Sequence, residues 1–231
     1  MKRFYKEASA SAGTDGGYTV LLDGKAVKTP KRAMLSLPNL PLAEAIAEEW
    51  RGQGETIDPQ TMPLTRLAFA AIDVVTPERA RIAKQILKYV ETDLLCYRAE
   101  DPPELVARQA LAWDPLLDWA AETYDVRLKV GFGIRPVPQP PEAIAELEQA
   151  IARYDEFELT ALHTATTITG SVILALALAK EQVNAEEAFA AATLDETFQA
   201  EKWGRDAEPE QRRHRLLAEL TAVNRFLRLL K

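Results

Sequence analysis

YTVLLDGKAVKTP, residues 18 to 30, decides how the first part of the chain folds. Two β-favouring runs, TVLL and KAVK, flank Asp23-Gly24. That dipeptide suits a type I′ turn, whose two central residues both need positive φ. The stretch therefore predicts an antiparallel hairpin. On either side RFYKEA (3–8) and AMLSL (33–37) are further short β-favouring runs, separated by glycine or proline. Residues 2–38 together read as antiparallel strands.

At Asn39 the period changes. Asn39 can cap a helix, Pro41 suits its first turn, Leu42, Ile46 and Trp50 recur every four residues, and Gly52 and Gly54 stop it. One amphipathic helix should cover the small sheet. The segment ETIDPQTMPLT (55–65) holds two prolines and no period, and reads as a linker. The expected organisation is α+β: a β-rich N-terminal domain over residues 1–62 and a mainly α-helical domain over 63–231. In the second domain, helix starts are expected at Thr76-Pro77, Asp101-Pro102 and Asp114-Pro115, because proline loses nothing at the first helical position. Asp155 and the capping box Asn184/Glu187 mark two more. TDLLCYRA (92–99) and VRLKVGFGI (126–134) could be short strands. The last helix, from about Glu210, carries a seam of Leu216, Leu220, Val223, Leu227 and Leu230. It suits packing within the chain's own bundle, or a coiled-coil partner.

Bulk properties exclude several functions. The 231 residues are 47% apolar, with 28 basic and 35 acidic residues and a net charge of -7. A general nucleic-acid binder needs cations to displace counterions from phosphates, so that class is disfavoured. A lone Cys96 permits no internal disulfide, and with His163 and His214 the only histidines a zinc cluster is not expected. This cysteine usage points to the cell interior. MKRFYKEASASAG has no apolar core of a secretory leader. The apolar run Leu159–Ala179 contains His163, Gly170 and several hydroxyls, and so reads as a buried central helix rather than a membrane span.

Catalytic motifs are scarce. GxxxxGK[ST] is absent, Gly131-Phe132-Gly133 lacks a third glycine, and Ser171 falls within a helical run rather than a strained elbow. His163 sits among threonines as a core histidine would, and His214 lies in a solvated EQRRHR. No carboxylate pair is marked as an acid–base couple. An enzyme using His163 or a carboxylate in a pocket between the domains, or a small-ligand module, stays open beside a protein-binding role.

Trp50, Trp113 and Trp119 read as core, Trp113 as a residue packing back on the helix after it. Trp203 differs. In LDETFQAEKWGRDAE (194–208), Leu194 and Phe198 mark the packing face. At about 100° per residue, Trp203 falls with Glu196 and Gln199 on the opposite side. Gly204 then ends the helix. Either these residues form a hot spot for another protein, or the last helix covers the tryptophan.

Taken in order, RFYK, YTVLLDGKAVKTP, AEEW (47–50), MPLTRLAFAAID (62–73), ETDLLCYRA (91–99), WDPLLDW (113–119), GSVILALAL (170–178) and LDETFQAEKWGRDAE give the chain, over almost its whole length, a specific resemblance. It resembles the assembly chaperones of the F-type ATP synthase alpha subunit, found in mitochondria and in alphaproteobacterial relatives. The resemblance implies a small β-rich domain before a larger helical one. It also implies a non-enzymatic role: holding the unassembled alpha subunit, preventing its aggregation, and releasing it to the beta subunits. The family's LDExFQ…WGxDAE pattern matches Leu194, Asp195, Glu196, Phe198, Gln199, Trp203, Gly204, Asp206, Ala207 and Glu208. The partner-binding residues it implies are Glu196, Trp203, Asp206 and Gln199, with no catalytic residue, cofactor or metal ligand. The expected partner is the alpha subunit, without nucleic acid or stable membrane insertion, and the free chain is expected to be a monomer. The expected place is the bacterial cytosol, with the mitochondrial matrix for eukaryotic relatives.

Overall fold

The computed structural model describes residues 1–13, 16–133, 135–203 and 207–231, with the side chains of 207–209 outside that description. The chain is α+β and divides into two compact units. Unit 1 comprises Met1–Arg79, Glu156–Ala161 and Arg225–Lys231; unit 2 comprises Ala80–Asp155 and Leu162–Asn224.

In unit 1, β1 (Ala8–Ala12), β2 (Tyr18–Leu22) and β3 (Lys25–Ala26) form an antiparallel sheet in that order. The hairpin is as expected: Leu22 pairs with Lys25, and Asp23 and Gly24 take φ of 45° and 78°. The Asp23 carboxylate also accepts the N–H groups of Lys6 (3.0 Å) and Glu7 (2.9 Å), pinning the turn to the chain entering β1. The first strand lies further along than expected. RFYKEA is not a strand except at Ala8, and the ladder occupies ASASA instead. The residues before it face elsewhere: Lys2 bridges Thr56, the Arg3 N–H donates to the Glu55 carbonyl (2.8 Å), and Tyr5 Oη donates to the Trp50 carbonyl (2.7 Å). AMLSL supplies only isolated bridges, Met34 to Lys28 and Leu37 to Tyr18.

Helix α1 (Leu40–Arg51) starts where Asn39 Oδ1 accepts the Leu42 N–H at 2.9 Å, and buries Leu42, Ile46 and Trp50 over β1 and β2. The segment expected to be a linker is held tightly. Ile57 and Met62 are buried, and the Glu49 carboxylate accepts the N–H groups of Leu64 (2.7 Å) and Thr65 (2.8 Å) and the Thr65 hydroxyl (2.7 Å). Those bonds cap α2 (Pro63–Ala70). Burial raises the Glu49 carboxyl above its ordinary value, against the pull of the same bonds. A π-helical turn, Ala71–Val75, continues α2 and presents Asp73, which accepts from Thr29 Oγ1 (2.6 Å) and the Lys31 N–H (3.0 Å). Unit 1 therefore runs past residue 62, because side chains on both sides of that point bond each other. Thr76-Pro77 begins α3 (Thr76–Lys88) directly from the π turn rather than as a free start, and the backbone leaves helical values at Glu78 (φ -123°).

In unit 2, β4 (Tyr97–Arg98) lies within TDLLCYRA and pairs in parallel with β5 (Gly131–Phe132) in VRLKVGFGI. Between them runs α4 (Pro103–Tyr124). Asp114-Pro115 does not start a helix: Pro115 is interior to α4, which continues through it and stops at Asp125, in the left-handed region at φ 55°. Trp113 is accordingly a mid-helix core residue, fully buried, with Nε1 donating to the Ala191 carbonyl at 2.9 Å.

After α5 (Pro141–Ala152), the run expected to be one buried helix is two: α6 (Glu156–Thr169) and α7 (Val172–Ala179). Gly170 breaks them at φ 70°, a value glycine adopts without a Cβ clash. Ser171 caps α7, its Oγ accepting the Leu174 N–H at 3.0 Å. Among the described residues no helix is long and apolar enough to cross a membrane. All eight residues of α7 are buried. Asp93, also fully buried, accepts the N–H groups of Val172 (2.8 Å) and Ile173 (3.3 Å), satisfying donors at the start of α7 that no helix bond reaches, and its other oxygen accepts the Leu95 N–H (3.1 Å). Helix α8 (Ala185–Ala192) opens with the expected capping box, Asn184 with Glu187. It is followed by α9 (Leu194–Trp203) and α10 (Ala207–Leu229). Leu220, Val223 and Leu227 of the expected seam are buried, so the last helix packs within the chain.

Candidate protein-binding site

The site forms on α9, and its orientation follows from what the other side of that helix binds. Phe198 is 3% exposed, with the Arg108 guanidinium 5.2 Å and the Lys202 ammonium 5.4 Å from its ring centroid. Asp195 accepts from Gln109 Nε2 (2.7 Å), Glu201 from Arg108 Nη1 (2.7 Å), and Lys202 donates to Glu104 (2.9 Å). Those contacts dock α9 on α4. The hydrogen bond and charge of Lys202, with Arg108 behind it, hold the Glu104 carboxyl below its ordinary value.

With that face committed, Glu196, Gln199 and Trp203 point to solvent. Trp203 is 80% exposed, so the open question between a bare and a covered tryptophan resolves to a bare one. Glu196 is exposed, with one oxygen 3.7 Å from Arg213 Nη1 on α10. Arg213 also donates to Thr197 Oγ1 (3.0 Å), which holds its guanidinium beside Glu196. Asp206, the fourth expected residue, and the Gly204 stop lie outside the described residues. An exposed indole gives apolar contact area, and a carboxylate braced by arginine gives a directed acceptor. Together they can anchor a partner bearing an apolar patch and a donor.

Arg108 and Arg213 were not singled out in the sequence. The i,i+4 pair Glu104/Arg108 was legible, but Arg213 stood in a run of arginines with nothing to mark which one faces α9. Beside this face, Phe189, Leu194, Thr197, Arg213, His214 and Leu217 line a cleft of about 410 Å³. His163 does not line it. It is half-buried on α6, with burial and then the nearby Arg81 charge lowering its imidazole from the ordinary value. Cys96 is buried, its thiol pushed up to about 12 by burial and the Asp93 charge. Among the described residues no group of three or more His, Cys, Asp or Glu could hold a metal ion.

A small antiparallel sheet covered by one helix, followed by a mainly helical region, is the fold of a known class of chaperones. The chain belongs to the ATP12 chaperone protein family, whose model matches residues 2–121. Its structure is similar to that of Atp12 from Paracoccus denitrificans, with a TM-score of 0.95 and 43% identity over 100% of this chain and 98% of that one. It is also similar to the Atu1473 protein from Agrobacterium tumefaciens, with a TM-score of 0.96 and 43% identity over 100% and 86% of the two chains. The protein atp12, mitochondrial, of Schizosaccharomyces pombe is 26% identical over 220 residues, 88% of this chain and 74% of that protein.

Proposed function

We propose that this chain is a non-catalytic chaperone of the F-type ATP synthase alpha subunit. It binds the subunit before assembly in the bacterial cytosol, covers surface that would otherwise aggregate, and gives it up to the beta subunits. An unassembled subunit of an obligate complex exposes apolar interface that promotes aggregation. The observation that carries the reading is Trp203, 80% exposed on the same helix face as Glu196 and Gln199. Glu196, Gln199, Trp203 and Asp206 are the proposed contacts. No cofactor takes part, and the free chain acts as a monomer.

The test is capture of purified alpha subunit by the full chain, read as a near one-to-one complex and as suppressed light scattering of the alpha subunit. Failure of the wild-type chain to retain or protect alpha subunit under gentle conditions overturns the reading.

A further inference from the structure

A second exposed apolar surface lies in unit 2, along α4. That helix buries Leu105, Trp113, Leu116 and Ala120 on one side, yet Leu111 is 81% exposed. Pro115 and Asp118, four and seven residues on, share its helix face and are exposed too. Proline has no N–H, so the helical bond that would reach the Leu111 carbonyl is missing at this point. Beside the face, Leu111, Pro115, Val183, Ala190 and Leu194 line an open cleft of about 510 Å³. It is large enough to seat a bulky side chain. Its lining includes the exposed Ala190 of α8, a position where a small residue leaves room.

The lining of the cleft carries charge of one sign, and Arg108, one turn before Leu111 on α4, is already paired with Glu104 and Glu201. No lysine or arginine lines it; its charged lining residue is Glu187, and Asp118 continues the Leu111 face. Unit 2 as a whole holds 23 acidic against 15 basic residues, while unit 1 holds 12 and 13. A mostly apolar lining with an acidic residue favours a segment with an apolar anchor and a basic flank, and disfavours an acidic one. The cleft also adjoins the α9 site, because Leu194, two residues before Glu196, is one of its walls.

We infer that the α4–α8 cleft, lined by Leu111 and Ala190, seats an apolar side chain of a basic amphipathic segment of the client. The inference rests on the chaperone reading above and adds a second contact to the α9 face. The wild-type chain, Leu111→Ser, Ala190→Glu and Asp118→Lys are titrated against purified alpha subunit, with far-ultraviolet melts of each variant. Leu111 and Ala190 are exposed, so the melts should match wild type. Affinity should fall about tenfold for Leu111→Ser, the loss expected of an interface anchor, and more for Ala190→Glu. Asp118→Lys should weaken binding most at low salt, where a lost attraction is least screened. If Ala190→Glu fails to fold, Leu111→Ser decides. Wild-type-like affinity for folded Leu111→Ser and Ala190→Glu sinks the cleft while leaving the chaperone reading intact, whereas a wild-type chain that ignores alpha subunit sinks both. A wild-type dimer that Ala190→Glu dissociates assigns the cleft to a second copy and overturns the proposal.

Discussion

Helices α7 and α9 both belong to unit 2, and they use their surfaces in opposite ways. Every side chain of α7 is buried, and its first N–H groups are taken by Asp93 and Ser171. Of the ten residues of α9 only Phe198 is buried, and the helix is held instead by ion pairs and hydrogen bonds at its edges. Satisfied all round, α7 has nothing to offer another molecule. An edge-held helix keeps a face free, and on α9 that face carries the largest exposed aromatic of the described chain. Stability and binding should therefore separate between the two helices.

The sharpest way to break this contrast is to truncate one large residue in each. Leu176→Ala removes three carbons from a fully enclosed position, and should cost about 2–5 kcal/mol in urea unfolding. Trp203→Ala removes a larger side chain from solvent, and should change stability by no more than about 0.5 kcal/mol. Comparable losses for the two would mean that Trp203 is packed in solution.

The capping of α7 has a pH signature. Burial pushes the Asp93 carboxyl up to about 6, although hydrogen bonds from Ser171, Leu95, Ile173 and Val172 pull it down. Its folded value thus exceeds the unfolded value near 3.8, so the folded chain holds this proton more tightly. The stability contributed by that proton is complete below about pH 4 and is lost as pH rises through about 6, a change of about 3 kcal/mol. Urea midpoints of wild type and Asp93→Asn between pH 4 and 7 isolate it: the difference between the two should drift across that window. A constant difference would mean that the four donors outweigh burial and keep the carboxyl ionised throughout.

On α9 the expected effect moves from stability to binding. Trp203→Ala should weaken alpha-subunit capture by about 1–2 kcal/mol, roughly five- to thirtyfold, with an unchanged melt. Unchanged affinity at saturating precision would remove Trp203 from the interface.

How legible each region was depends on the range of the forces that shape it. The Asp23-Gly24 turn, the Asn39 cap and the Asn184/Glu187 box are contacts over a few residues, and the sequence states both partners. The α9 face was legible too, because helical phase alone separates Trp203 from Leu194 and Phe198. What could not be read depends on partners far along the chain. RFYK turns away from the sheet because residues 50–56 bind it, and ETIDPQTMPLT is fixed by Glu49 and Gln53 rather than by its own composition. Pro115 misled because proline rules describe isolated helices, whereas α4 gains enough from burying Trp113 and Leu116 to run through it.

The smallest expected effect concerns whether Glu196 contacts the client or only braces the helix. Its pair with Arg213 is long at 3.7 Å, and the two side chains are 60% and 32% exposed. Such a pair should contribute less than about 1 kcal/mol to folding, and less again at high salt. Arg213→Gln and Glu196→Gln should therefore leave the melts almost unchanged, with little coupling in a double-mutant cycle. Capture separates the roles. If Glu196 is a contact, Glu196→Lys should weaken binding whether residue 213 is arginine or glutamine, because the lost acceptor belongs to the interface. A bracing role predicts instead that Arg213→Gln alone reproduces the defect of Glu196→Lys, and that combining them adds nothing.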